Sequence, residues 1–390
     1  MPISKRITYV WQSTYPWDVR VEKICQSLRR QGNQVEIIAR RGAGEAPVEE
    51  HQGLVIRRVG PTAPRFASLP LPGNPIWRSA LRVYAKQFRP QLVIARDIPV
   101  ALQSASVARE MGVPMVIDMA EHYPEAMRSW KKYQRSTLMR IAINQLRLPD
   151  RIERKSVGLA DGILTVCEEM KQRLADDYQY PLERVLSVTN APERNRFAGF
   201  AIPSAQKAGK RFGYHGVVIQ DRDLLTIVRG FDLAAEKDRE ITLTIAGGGE
   251  SLADIQAEVQ RLRNRGRIEF HGPFARTEVD KLYQDIDFGI VSWALNPFSN
   301  TTIANKFFDY AACGKPMLFT NTRPMLRLMQ TMRCGTAYRG DDPNSVADSM
   351  LALVQADYVS MARNGQRAIA EQFNWENETA RMMEFLDQIT

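Results

Sequence analysis

Short apolar runs rich in β-branched residues, each followed by helical periodicity, recur along this chain, and the alternation restarts near its middle. Candidate strands at residues 7–10, 35–39, 54–59, 92–95, 115–118, 162–166 and 185–188 are separated by helix patterns near 18–31, 76–87, 99–111 and 168–176. Residues 201–210 are small, polar and contain Pro and Gly, the composition of a linker. Strands follow again at 212–215, 241–246, 268–270, 288–291 and 317–319. A restart of this kind predicts two similar α/β layers rather than one large sheet. The domains are expected at 1–200 and 211–372, with a closing amphipathic helix within 373–390. The Pro-rich stretch 61–75 reads as an irregular surface loop.

At 390 residues the chain is long enough for two α/β domains of roughly 180 residues each. No apolar run approaches the ~20 residues of a membrane span, and residues 1–15 lack a signal-peptide core. Cys25, Cys167, Cys313 and Cys334 are far apart, which predicts reduced thiols and a cytoplasmic location. The four histidines are as scattered, so no metal site is expected. Lys and Arg exceed Asp and Glu by 53 to 44, a net charge of +9. That balance favours anionic partners: phosphates, a membrane surface or nucleic acid. Zinc-finger, homeodomain and RNA-binding patterns are missing, so nucleic acid is not expected.

The densest chemistry lies in residues 296–316, NPFSNTTIANKFFDYAACGKP, between two apolar runs. Ile303, Phe307, Phe308, Tyr310 and Ala311 share one helical face, and Ser299, Asn300, Thr301 and Thr302 are candidate caps at its start. Gly314 and Pro316 stop the helix. Backbone amides near Thr301, Thr302 and Ile303, with Lys306 one turn in, would favour a phosphate, and Asp309 would accept hydrogen bonds from sugar hydroxyls. The bland alternative is a surface helix carrying a weak Lys306–Asp309 pair.

Other candidates lie at expected strand ends. Gly216 follows the strand at 212–215 and would let the backbone approach a ligand, and Arg222 has the bidentate geometry for a diphosphate. Glu121 and His122 follow the strand at 115–118, outside whose end ligands of open sheets bind. Asp18 reads as a helix cap, and Arg20 as either a functional or a solvent-facing cation. Gly247–Gly249 form a turn and, alone, are weak evidence of a phosphate loop. The first βαβ turn has no Gly-rich fingerprint, which argues against a dinucleotide-binding dehydrogenase. Residues 128–155 carry nine basic side chains against Asp150 and Glu153, interleaved with Trp130, Tyr133 and aliphatics. Such a stretch fits an anionic membrane surface, or a core helix with a basic solvent face.

The segment NKFFDYAACGKPML closely resembles part of the retaining glycosyltransferases of family 4. PWDVRVEKICQSLRRQGNQVEII, LADGILTVCEEMKQRL and VLSVTNAPE are similar to other parts of that family, so the likeness runs from Ile7 to Ile389. It implies the GT-B fold: two Rossmann-like α/β domains facing across a cleft, with the last helix crossing back to the first domain. Asp309 then takes the place of the acidic residue that binds the donor ribose, and Thr301 that of the family's first carboxylate. Val217 replaces one of two cations, which leaves Arg222. Ala120 replaces the family's usual His, and His122 stands two residues later.

The implied reaction moves a sugar from a nucleotide-diphosphate sugar to a glycan or lipid-linked acceptor, with retention, in surface-polysaccharide assembly. It needs no cofactor beyond the donor and no metal. Asp285 and Asp287 have the spacing of a metal-dependent transferase motif but stand at the wrong end of the strand at 288–291. The rival readings are a nucleotide-sugar epimerase of the same fold and a basic nucleic-acid-binding protein.

Overall fold

The computed structural model describes residues 4–16, 18–60, 73–130, 133, 136–202 and 209–390. The chain forms two compact units, Met1–Val188 with Thr379–Thr390, and Thr189–Glu378.

In the first unit eight strands form one sheet in the order β3-β4-β2-β1-β5-β6-β7-β8. They are β1 (Arg6–Val10), β2 (Gln34–Arg40), β3 (Val48–His51), β4 (Leu54–Val59), β5 (Leu92–Arg96), β6 (Met115–Asp118), β7 (Gly162–Thr165) and β8 (Val185–Ser187). All pairs are parallel except β3 with β4. The parallel strands are apolar along most of their length because helices cover both faces, and Tyr9, Ile37 and Ile94 are fully buried in register across β2, β1 and β5. Strand β3, sequence VEEH, has no apolar run and escapes the sequence pattern; it pairs through a hairpin whose turn residues Gln52 and Gly53 both have positive φ. Its charged side chains suit an edge strand. Asp18 caps the helix Val19–Arg30 by accepting from the amides of Arg20 and Val21, as expected. The final helix, Trp375–Ile389, contributes Thr379–Thr390 to this unit, with Phe385 and Ile389 lying against Gly162. Most of the Pro-rich stretch, residues 61–72, lies outside the described residues, and Pro75 already belongs to the helix Pro75–Phe88.

The second unit is a six-stranded, wholly parallel sheet in the order β11-β10-β9-β12-β13-β14. Its strands are β9 (Arg211–His215), β10 (Thr242–Ala246), β11 (Ile268–Gly272), β12 (Phe288–Val291), β13 (Met317–Thr320) and β14 (Gly335–Tyr338). The chain runs outward from β9 in one direction and then returns to start β12 on its other side. Between those two strands the sheet has a topological switch point, where connecting loops diverge and leave a crevice at the strand ends. Phe212 and Tyr214 face one side of the sheet, in a core with Phe231, Ile227 and Met350. Each such side chain contributes roughly 1.5–3 kcal/mol by full burial. Gly213 and His215 face the other side, towards Tyr283 and Tyr310. Gly289 is required there: a Cβ on it would lie 2.3 Å from the Tyr310 ring.

Candidate functional site

The switch point of the second sheet gathers the residues with the most chemistry. Strand β9 ends at His215, and Gly216 turns the chain with φ +143°. The turn is bonded to its neighbour: Gly216 N donates to Ala246 O at 2.9 Å and Val218 N to Gly248 O at 2.9 Å. Gly247–Gly249 therefore serve first as a brace for the Gly216 loop.

Lys306 is the second residue of the helix Asn305–Ala312, and its Nζ lies 3.7 Å from the centre of the Tyr214 ring. Burial, and then the nearby Arg222, hold its pKa well below that of an ordinary lysine, with Asp309 opposing. Arg222 ends a short 3₁₀ turn, Gln220–Arg222, and its Cζ sits 3.4 Å from the centre of the Trp293 ring. Trp293 follows β12; its amide donates to Thr320 Oγ1 at 2.9 Å, while the Ala294 amide donates to Asp221 O at 2.9 Å. Two loops from strands far apart in sequence are thus pinned together under one guanidinium. Asp309 lies one turn beyond Lys306, half-buried, and Tyr283 Oη donates towards its Oδ2 at 3.4 Å.

The helix begins later than the sequence suggests. Ser299–Thr301 form a 3₁₀ turn, Thr302 is extended, and Ala304 is the N-cap, with no side-chain capping bond. The cause is local competition by polar side chains. Asn296 Oδ1 accepts from Ser299 N at 2.8 Å, and Thr301 Oγ1 donates to Phe298 O at 3.0 Å, so these groups close their own turn. Thr301 and Ile303 are both buried, the Thr301 amide donates to Phe298 O at 3.0 Å, and the helix proper begins at Asn305.

In the first unit a charged cluster occupies the matching switch point between β1 and β5. Arg20 is not the solvent-facing cation of its two readings: it is 1% exposed, ion-paired to Asp118 at 2.7 Å and bonded to Val188 O at 2.8 Å. Asp118 also accepts from Tyr9 Oη at 2.6 Å. Burial alone would raise its pKa, but Arg20 and Arg96 outweigh burial and hold it below the usual carboxylate range. Beside it, Asp97 has φ +61°, accepts from Ala120 N at 2.8 Å and pairs with Arg96 at 3.1 Å. Burial pushes the Asp97 carboxyl up, Arg96 opposes, and the charge of Glu121 adds to the rise. Glu121 is half-buried and His122 buried, at the start of the helix Tyr123–Ser129. Glu121, His122 and Asp97 therefore share one corner, and Asp97 clasps the turn that carries the other two.

Residues 128–155 are not one amphipathic helix. Tyr123–Ser129, Thr137–Arg140 running on as a π-turn over Ile141–Gln145, and Leu148–Val157 are separate pieces. Lys131, Lys132 and Arg135 lie outside the described residues. Asp150 is taken by Arg128 and by Arg147 at 2.9 Å, and buried Glu153 by Arg173 at 2.9 Å. Leu138, Ile141, Leu146 and Leu148 are exposed, Leu138 to 79%, among exposed Arg140, Arg151, Arg154 and Lys155.

No group of three or more His, Cys, Asp or Glu among the described residues is arranged to hold a metal ion. The Asp287 carboxylate binds Arg211 through Nε at 2.9 Å and Nη2 at 3.1 Å. Among the described residues no helix is long and apolar enough to cross a membrane. Sequence reasoning missed Asp97, Tyr214, His215 and Trp293. The signal available for all four was position alone, at or just beyond the carboxyl ends of strands flanking a switch point.

Two Rossmann-like α/β units, each built on a mainly or wholly parallel sheet, are the GT-B arrangement. Two family models match most of the chain: a glycosyl transferase 4-like domain over residues 18–191 and a glycosyl transferases group 1 domain over residues 209–356. The chain belongs to the family 4 type of GT-B glycosyltransferases. It is 21% identical over 289 residues to mannosylfructose-phosphate synthase of Agrobacterium fabrum; the match covers 68% of this chain and 63% of that protein. Sucrose-phosphate synthase from Thermosynechococcus elongatus has the same fold, with a TM-score of 0.73 at 15% identity over 98% of both chains. Anabaena HepE in complex with UDP-glucose gives 0.72 at 12% identity, over 98% of this chain and all of that one.

Proposed function

We propose that this protein transfers a sugar from a nucleotide-diphosphate sugar to a glycan or lipid-linked acceptor, with retention and without a metal. One observation carries the reading. Lys306 Nζ sits over the Tyr214 ring beside the Gly216 turn, and its pKa is held down first by burial and then by the positive charge of Arg222. A diphosphate between the two cations would relieve that repulsion. As the bond to the anomeric carbon breaks, negative charge grows on the leaving diphosphate, and preorganised cations stabilise it directly. Asp309 would take a ribose hydroxyl, and the amides from Asn305 onward would face the phosphates. Anabaena HepE has been seen with UDP and with UDP-glucose, which supports a nucleotide-sugar donor here.

The acceptor side is assigned to the first unit, to Glu121 and His122. The exposed leucines and cations within 137–155 support docking on an anionic bilayer, a place where lipid-linked acceptors are held. Each cation near such a surface contributes on the order of 1 kcal/mol. Arg140→Glu with Arg151→Glu should release the protein from anionic vesicles in co-sedimentation at low salt. Equal, poor sedimentation of the wild type with anionic and neutral vesicles would leave this face merely solvated.

The donor reading is tested by calorimetry with UDP, GDP and ADP and their glucose conjugates, with EDTA present throughout. One nucleotide should bind, and Asp309→Ala should weaken it while leaving the unfolding transition in place. Absence of binding by every nucleotide, or binding that needs added manganese or magnesium, contradicts the reading. Conversion of a donor without any acceptor would instead favour an epimerase, and steeply salt-sensitive binding to DNA a nucleic-acid protein.

A further inference from the structure

His215 is 3% exposed, and its Nε2 has no hydrogen-bond partner in the structure. The other ring nitrogen is committed. With Tyr310 Oη donating to Gly213 O at 3.3 Å, the Nδ1 of His215, 2.9 Å from that oxygen, is assigned as the donor to it. The ring is neutral: burial first, then the positive charge of Lys306 and the neighbouring His271, push its pKa down to about 3. A neutral imidazole protonated on Nδ1 carries a lone pair on Nε2. This acceptor is therefore buried and unmatched, an arrangement that costs free energy until a donor arrives.

Its position is at the ligand end of the sheet. His215 closes β9 immediately before Gly216, and its ring centre is 5.2 Å from that of Tyr283 and 6.4 Å from that of Phe274, on the loop after β11. Tyr283 in turn reaches Asp309, the residue assigned to the ribose. Aromatic rings wall the spot, and Nε2 and the Asp309 carboxylate are its acceptors, with the Tyr283 and Tyr310 hydroxyls and the charge of Lys306 nearby. A group that fits there must be flat or small and must offer N–H or O–H.

We propose that His215 Nε2 accepts a hydrogen bond from the nucleoside part of the donor, either a base N–H or a ribose O–H, and so takes part in choosing the nucleotide. This rests on the donor reading above. No bond is made or broken at His215; its part is recognition.

The test is calorimetry with UDP, GDP and ADP on the wild type, His215→Leu and His215→Gln. Leucine removes the acceptor, whereas glutamine can return an oxygen near the place of Nε2. The tightest-binding nucleotide should lose on the order of ten-fold in affinity with His215→Leu and recover with His215→Gln. Probes on the wild type avoid any folding defect of the variants. The 2′-deoxy and 3′-deoxy forms of that nucleotide remove a ribose donor, and the form methylated at the ring N–H, or at the exocyclic amine for ADP, removes the base donor. One of these should lose a similar factor on the wild type and nothing further on His215→Leu. If the wild type binds a nucleotide but all analogues and both variants bind alike, Nε2 meets only buried water and the inference is wrong. If the wild type binds no nucleotide, the donor reading falls and this inference falls with it.

Discussion

Gly216→Ala isolates the contact on which the cation arrangement depends. The substitution acts twice. At φ +143° an L side chain is strained, at a cost of about 1–3 kcal/mol. The new Cβ would also stand 2.9 Å from Lys306 Nζ and 3.5 Å from its Cε. The lysine tip is the flexible partner, so it moves, leaves the Tyr214 ring at 3.7 Å and gives up about 0.5–2 kcal/mol of cation–π attraction. Together the second unit should lose roughly 1.5–5 kcal/mol, which at about 2–4 °C per kcal/mol is readable in a thermal melt. Gly266→Ala is the control: it has no strained φ and no atom within 4 Å of its Cβ, so its effect should stay within about 0.5 kcal/mol. Calorimetry with the bound nucleotide diphosphate then separates strain from displacement. If the loss of affinity runs through Lys306, Gly216→Ala should weaken binding in the wild type and add little to Lys306→Ala. Additive losses would mean that the turn itself, not the lysine, meets the ligand. An unchanged melting temperature and affinity would refute the whole chain of reasoning.

Trp293→Leu should free the Arg222 guanidinium from its stacked position and, at about 0.5–2 kcal/mol for such a contact, lower turnover roughly two- to thirty-fold. The same change should have little effect once Arg222 is alanine; equal losses in both backgrounds would assign the tryptophan another role. Arg20→Ala leaves Asp118 buried without its main partner and should cost the first unit about 3–5 kcal/mol in urea unfolding. A loss below about 1 kcal/mol would show that Arg96 suffices. His215 is held neutral down to about pH 3, whereas in the unfolded chain its pKa is about 6.5. Between those values only the unfolded chain binds the proton, so stability should fall as pH drops from about 6.5 towards 3. His215→Gln should flatten that slope, and an identical slope in the variant would show that other groups set it.

The strands and most helices of both units were legible because their cause is local. An apolar run covered on both faces, or a stripe at helical spacing, is written in consecutive residues. Asp18 was readable as a cap for the same reason. Strand β3 was not, because an edge strand needs no apolar run, only a neighbour to pair with. The start of the Lys306 helix was misread because Ser299, Asn300 and Thr301 are good caps for any helix and equally good at closing a turn of their own. Which they do depends on Asn296 and Phe298, whose contribution is geometric and leaves no pattern. Arg20 is ambiguous in the sequence for another reason. Its burial is decided by Asp118 and the Val188 carbonyl, which the fold brings to it from distant parts of the chain.

The proposed donor site shows the same division at higher stakes. Lys306 and Asp309 could be read as neighbours because one helix carries both. Their setting could not, because Tyr214 lies on another strand and the Gly216 turn is shaped by Gly247–Gly249. That setting is what gives the lysine its chemistry. Had a carboxylate lain in the place of the Tyr214 ring, Lys306 would be neutralised at rest, and an incoming phosphate would have to compete for it. A ring face attracts the ammonium without cancelling its charge, and Arg222 raises the local potential further. The same reasoning applies to His215, whose lone pair is kept available because Tyr310 occupies only Nδ1. A site poised for a diphosphate and a nucleoside should therefore keep its recognition groups at hand when no ligand is bound: a lysine held on a ring face and one buried acceptor, both at the carboxyl end of β9.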